Sequence, residues 1–181
     1  IAVIDFGSGN MKSITNFLKR NFNSIVEIYD SPSIGLDDSD VLVIPGVGHF
    51  GSASNFINAK KLDSSIKAFA NNGKPTLGIC LGAQLLSKSS EEDLSVNGLG
   101  LINAECISLA SHPTYKDSIP RIGWSGVRDS YEDSYYFVHS YYIKVLDDNL
   151  KVTYSDDDVT AIVESKNIIA MQFHPEKSDI S

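Results

Sequence analysis

The sequence predicts an α/β domain in which a central, mostly parallel sheet carries helices on both faces and takes up added antiparallel strands in its C-terminal half. Three features lead there. Up to Cys80, short apolar or β-branched runs alternate with stretches of helical periodicity, as parallel strands and their crossover helices require. Proline and glycine punctuate the ends of those runs, at Pro45-Gly46 and again at Gly78 and Gly82. From Gly98 onward the helical repeats give way to short alternating and β-branched runs.

Taken in order, residues 1–5 (Ile-Ala-Val-Ile-Asp) form a buried strand, after which Met11, Ile14, Phe17, Leu18 and Phe22 recur at helical spacing. Residues 24–29 and 40–44 read as the next two strands. A second helix is expected from about Gly51 to Asn72, with Phe56, Ile57, Ile66 and Phe69 facing inward. The strand 75–79 then runs into a helical stretch at 83–86. Later strands are expected at 100–109, 135–145, 159–164 and 168–173, partly antiparallel and on one sheet. With no internal repeat, low-complexity tract or clear linker, residues 1–181 are expected to form a single domain.

A chain of 181 residues can bury about 70% of its unfolded surface, enough for a full sheet and its helices. Its net charge of -8 disfavours nucleic acid or an anionic membrane as partner. The acidic runs Asp37-Asp38, Glu91-Glu92-Asp93, Asp147-Asp148 and Asp156-Asp157-Asp158 read as solvated loops. Cys80 and Cys106 are too few for a disulfide framework, no apolar run reaches membrane-spanning length and no signal peptide precedes the first strand, so a cytoplasmic location is expected. No motif calls for a metal or a cofactor.

Gly78-Ile79-Cys80-Leu81-Gly82 sets a cysteine between glycines where an apolar strand meets a helix, the cysteine form of a nucleophile elbow. Small neighbours permit a turn sharp enough to lift the side chain out of the sheet, and the following helix start favours a thiolate. The competing reading is a cysteine packed as a small hydrophobe. Far downstream, a buried strand runs into His174-Pro175-Glu176. In extended chain i and i+2 share a side, so Glu176 can orient His174, which can take a proton from Cys80. Alone, that tripeptide better suits a strand-end histidine bonded to a nearby acid for packing reasons; the two motifs together reverse the order and favour a Cys-His-Glu triad.

Together these motifs resemble the class I glutamine amidotransferases, over nearly the whole chain. The resemblance implies a flavodoxin-like class I glutaminase fold and attack by Cys80 on the side-chain amide of L-glutamine. Ile44-Pro45-Gly46-Val47-Gly48-His49-Phe50 looks like that family's oxyanion loop, although Pro and Gly also suit an ordinary turn. By resemblance, backbone N–H groups of Val47 or Gly48 in the Gly46-Val47-Gly48 stretch, and of Leu81, stabilise the oxyanion, each donor worth about 3 kcal/mol in comparable sites. Gln84, Ser140 and Tyr141 would hold the amino-acid end of the substrate. Gln84 also reads as a helix-surface residue, and Glu92 as a lesser binding residue or part of a solvated loop.

More narrowly, IAVIDFGSGN at 1–10, PGVGHFG, GICLGAQLL, Asn97-Gly98-Leu99-Gly100, Arg121-Ile122-Gly123-Trp124, YFVHSY at 136–141 and FHPEKS at 173–178 resemble the glutaminase subunits of imidazole glycerol phosphate synthases. That resemblance implies a heterodimer with a (βα)8-barrel cyclase, ammonia channelling, and activation by the partner through reorientation of a peptide at Val47. It also implies an interface containing Trp124, Tyr136 and Lys177; for Trp124 the rival reading is a core or merely exposed aromatic. Arg121 and Ser125 depart from the family, which more often has histidine or lysine and asparagine there, so a paralogous synthase amidating a surface-polysaccharide sugar is the alternative acceptor of the ammonia. The family also has a final helix, where this sequence ends at Ser181. Two readings from other classes are a flavodoxin-like protein with different thiol chemistry, which leaves PGVGHFG and His174-Pro175-Glu176 unexplained, and a non-catalytic regulatory subunit, which leaves the intact triad unexplained.

Overall fold

The computed structural model describes residues 1–7, 11–129 and 134–178; Ser8, Gly9 and Asn10, which close the first family-like block, lie outside the described residues. The N-terminal half runs β1 (Ala2–Ile4), α1 (Met11–Phe22), β2 (Glu27–Tyr29), α2 (Ile34–Asp38), β3 (Leu42–Ile44), α3 (Phe50–Ala59), α4 (Leu62–Asn71), β4 (Thr76–Ile79) and α5 (Leu81–Leu85). The rest is β5 (Ser89–Ser90), β6 (Ala104–Ser108), β7 (Arg121–Ser125), β8 (Tyr135–His139), β9 (Tyr141–Val145), β10 (Lys151–Tyr154), β11 (Thr160–Ser165) and β12 (Ile168–Met171), with short 3₁₀ turns at Leu109–Ser111 and Pro175–Lys177.

A seven-stranded sheet in the order β10-β11-β12-β4-β3-β1-β2 forms the frame. From β12 to β2 neighbouring strands are parallel, while β11 and β10 add antiparallel pairs at one edge. Period-two alternation divides the core between the two faces. Ala2, Ile4, Leu42 and Ile44 point toward α3 and α4, joining Phe50, Ile57, Leu62, Ile66 and Phe69; Val3 and Val43 point the other way, onto Ile14 and Leu18 of α1. Buried on both sides, β1 and β3 read as continuous apolar runs.

Three expectations change. The single helix at 51–72 is two helices, broken at Lys61, whose φ of 58° is left-handed. Ile57 and Leu62 are both buried, yet five residues place them about 140° apart on a continuous helix, so the axis must turn for both to face the core. The strand expected at 135–145 breaks at Ser140 into β8 and β9, which belong to different sheets. The C-terminal strands also do not share one sheet: β5, β6 and β9 form a separate three-stranded sheet and β7 and β8 a two-stranded ribbon.

Asn167, in the turn before β12, fastens the start of β4. Its carbonyl accepts the Thr76 amide at 2.8 Å, and its side-chain Nδ2 donates to the Ala70 and Lys74 carbonyls at 2.9 and 2.7 Å. Asn167→Ala removes two hydrogen bonds, although Ala70 O keeps the Gly73 amide and Lys74 O the Thr76 hydroxyl, and is expected to cost about 1 kcal/mol, read as a lower denaturation midpoint at unchanged slope.

Candidate active site

The loops that leave the carboxyl ends of three adjacent parallel strands, β12, β4 and β3, converge. Ligand sites of open α/β sheets form at such strand ends. Cys80 follows β4 directly, its amide donating to Met171 O of β12 at 2.7 Å. Its backbone has φ 51° and ψ -109°, a conformation that strains any residue with a Cβ and turns the side chain out of the sheet. The flanking glycines are required by contact. A Cβ at Gly78 would lie 2.7 Å from Ala83 Cα, and one at Gly82 would overlap the Ile44 carbonyl oxygen, so α5 could not pack against β3 and β4.

His174 lies three residues beyond β12, its amide bonded to Tyr136 O at 2.9 Å and its ring buried. Nδ1 meets Glu176 Oε1 at 2.9 Å, with both side chains almost fully buried. The expected pairing is made, but by way of the 3₁₀ turn Pro175–Lys177 and not by extended chain. Nε2 has no hydrogen bond of ordinary geometry among the described residues, while the Cys80 thiol lies near enough to act on it. Burial alone would lower the His174 pKa; Cys80 and Glu176 outweigh it and raise the value to about 9. The thiol itself faces Val138 O at 3.7 Å, with Gln172 Nε2 at 3.9 Å from Sγ.

A cleft of about 420 Å³ opens beside Cys80; Val47, Gly48, Leu81, Gln84, Ser140 and Tyr141 all line it. Gly46 instead faces His174 and Glu176 on the far side of the loop. Gly46 (φ 151°) and Gly48 (φ 123°) adopt backbone that favours glycine. In this conformation the Leu81 amide donates to Gly46 O at 3.2 Å, so one expected oxyanion donor is already occupied. Gln84 is buried, and its Nε2 bonds Tyr141 O at 2.9 Å and Gln172 Oε1 at 3.3 Å, bracing the Ser140-Tyr141 turn.

Other residues here were not singled out in the sequence. His139 lines the cleft and its Nδ1 meets Tyr141 O at 2.8 Å; a carbonyl can only accept, so Nδ1 carries the proton. Burial, then the nearby Arg121 guanidinium, depress its pKa to about 3. Gln172 sits beside the thiol on the strand recognised only as buried. The Glu91-Glu92-Asp93 run is not a plain solvated loop: Glu91 accepts the Ser108 amide and Glu92 the Phe50 amide, each at 2.7 Å, and Glu92 lines the cleft.

Trp124, Tyr136 and Lys177 gather at one surface. Trp124, about half exposed, meets Tyr136 edge to face at 5.7 Å, and Lys177 Nζ lies 5.5 Å from the centre of the Tyr136 ring. Arg121 does not join them: it is buried, paired with Asp157 at 2.8 Å and stacked 3.9 Å over Phe137. Ser125 ends the same strand, across from Tyr135. Among the described residues, no cluster of His, Cys, Asp and Glu could hold a metal ion, and no helix is long and apolar enough to cross a membrane.

The sequence matches the family described as glutamine amidotransferase class-I over residues 2–179. It is 40% identical to the imidazole glycerol phosphate synthase subunit HisH of Microcystis aeruginosa, over 98% of this chain and 88% of that one. Identity to the HisH subunit of Methanothermobacter thermautotrophicus is 42%, over 98% and 91%. Among solved structures, a glutamine amidotransferase superposes with a TM-score of 0.76 at 16% identity, covering 97% of this chain and 90% of that one.

Two outcomes follow from the geometry. Cys80→Gly should melt above Cys80→Ala, by about 1 kcal/mol or more in stability, because both lose the thiol and only alanine keeps a Cβ on strained backbone. For His174 the folded-state pKa of about 9 exceeds the ordinary 6.5, so its stabilisation is complete below pH 6.5 and lost as pH rises through 9. Chemical denaturation from pH 6 to 10 should show a decline on the order of 2 kcal/mol that His174→Ala abolishes.

Proposed function

The chain belongs to the class I glutamine amidotransferases, and from that premise we propose that it is the glutaminase subunit of an imidazole glycerol phosphate synthase, a single glutaminase domain acting in the cytoplasm. It hydrolyses L-glutamine to glutamate and ammonia and passes the ammonia to a (βα)8-barrel cyclase subunit. The observation that carries this reading is the convergence of Cys80, His174 and Glu176 at the ends of β4 and β12, with the glycine loop after β3 closing the same cleft.

In this mechanism His174, whose raised pKa keeps its ring charged at neutral pH, already holds the proton given up by Cys80, and the sulfur attacks the carboxamide carbon. The tetrahedral intermediate collapses as the C–N bond breaks, and His174 returns the proton to the departing nitrogen, which leaves as NH3. Water, deprotonated by His174, then cleaves the thioester, which frees the sulfur and leaves His174 charged as at the start. Glu176 holds the imidazole through Nδ1 and stabilises its charged form, in keeping with the raised His174 pKa. Ser140, Tyr141, Glu92 and the braced Gln84 bound the part of the cleft that suits the amino-acid end of glutamine.

The oxyanion donors are the amides of Leu81 and of Val47 or Gly48. Because Gly46 O occupies the Leu81 amide, turnover requires the peptide between Gly46 and Val47 to turn, withdrawing its carbonyl and offering its N–H. The surface formed by Trp124, Tyr136 and Lys177 supports a partner that drives this change: Tyr136 O accepts the His174 amide, its own amide donates to Ser178 Oγ at 3.1 Å, and Lys177 lines the cleft. Arg121 and Ser125, where the family more often has other residues, favour one second reading, a paralogous synthase that amidates a surface-polysaccharide sugar.

Ammonia release from glutamine, measured for the chain alone and with a histidine-pathway cyclase and its nucleotide ligand, tests the assignment. Strong stimulation is expected. Activity indifferent to that cyclase would move the partner to the paralogous synthase. Cys80→Ala should abolish hydrolysis in a folded protein, and Glu176→Gln should lose less than His174→Ala; turnover retained without the thiol would sink the triad.

A further inference from the structure

The glycine loop has a downstream anchor that reaches it from across the cleft. Phe50, the first residue of α3, lies two positions beyond Gly48, and its amide donates to Glu92 Oε2 at 2.7 Å. The next free amide of the helix, that of Gly51, is taken by His49 Nδ1 at 3.1 Å. The first turn of α3 is therefore fixed by one acceptor from the loop itself and one from a distant segment.

That segment grips the helix at several points. The Asp93 carboxylate lies so close to Gly51 that any Cβ there would overlap it, and Ser54 Oγ donates to Asn97 O at 2.6 Å. Its other flank is tied to β6, where Glu91 accepts the Ser108 amide. A charged acceptor at a helix N-terminus is stronger than a neutral one, and here it comes from a side chain that also lines the cleft beside Cys80.

We propose that Glu92 is a positioning residue for the oxyanion loop: by holding the Phe50 amide it fixes the loop's downstream end and confines reorientation to the peptides around Val47. Rotation is then absorbed at Gly46 and Gly48, whose backbone tolerates it, while the helix start remains still. That this loop serves an oxyanion rests on the glutaminase reading.

Glu92→Gln and Glu92→Ala separate the anchor from the charge that lines the cleft, since glutamine keeps a carbonyl acceptor for Phe50 and loses the charge. Backbone amide exchange over residues 46–52 needs no activity and reads the anchor directly. Glu92→Ala should exchange about tenfold faster there, and Glu92→Gln within about twofold of wild type. With the synthase partner present, Glu92→Gln should raise KM for glutamine with kcat nearly unchanged, whereas Glu92→Ala should also lower kcat about tenfold. Unchanged exchange in Glu92→Ala, or equal kcat in the two variants, would overturn the positioning role. Should wild type itself hydrolyse no glutamine with any partner, the functional reading fails, and the exchange data still decide the anchor.

Discussion

The Cys80 amide donates to Met171 O across the join of β4 and β12, and the active centre depends on that bond more than on any other. Residue for residue, Met171 lies beside Ile79, so the two strands end level. One then continues into the cysteine turn and the other into His174. A parallel pair is needed for this, because antiparallel strands would send the two exits to opposite edges of the sheet. β3 lies on the other side of β4, also parallel, and delivers the glycine loop to the same edge. Packing completes the arrangement: Gly82 lets α5 sit against the Ile44 carbonyl, which brings the Leu81 amide within reach of Gly46.

Much of this frame was legible before any coordinates. The strands β1, β3 and β4 announced themselves as apolar runs because both their faces are largely covered, and β12 reads as one too although its Ile169 is exposed. Elements without that signature were missed. β10 is an edge strand of mixed polarity, half of it exposed, and β7 carries Gly123 and an exposed Ile122 and Trp124 because its ribbon is covered on few sides. The break at Lys61 was invisible to periodicity over a window, since each half of 51–72 is helical by itself. Only the five-residue step between Ile57 and Leu62 signalled it.

Within the site, residues whose chemistry is stated by local sequence were readable: a cysteine between glycines, and a histidine two places from a glutamate. The structure brings those three together, and it gathers Trp124, Tyr136 and Lys177 as well. What could not be read was which polar side chains near the cleft hold the protein and which face the ligand. Gln84 was expected to hold substrate, and its Nε2 also bonds Tyr141 O and Gln172 Oε1. Glu92 looked like one charge in a solvated run, and its partner lies 42 residues away in sequence. Such long-range pairings leave no periodic trace.

The bridge between Tyr136 and His174 has a thermodynamic consequence. A surface aromatic and His174 share one backbone hydrogen bond, and the ribbon that carries Tyr136 belongs to neither of the larger sheets. Anything that docks on that ribbon with a preference for one arrangement of the site is linked to every ligand that has the same preference. Linkage is reciprocal: if a docked subunit tightens glutamine binding by some factor, bound glutamine tightens the subunit by the same factor. On the proposed function, a complex so linked would be most durable while substrate is held and would loosen once the cleft empties, so that its lifetime would report the supply of glutamine.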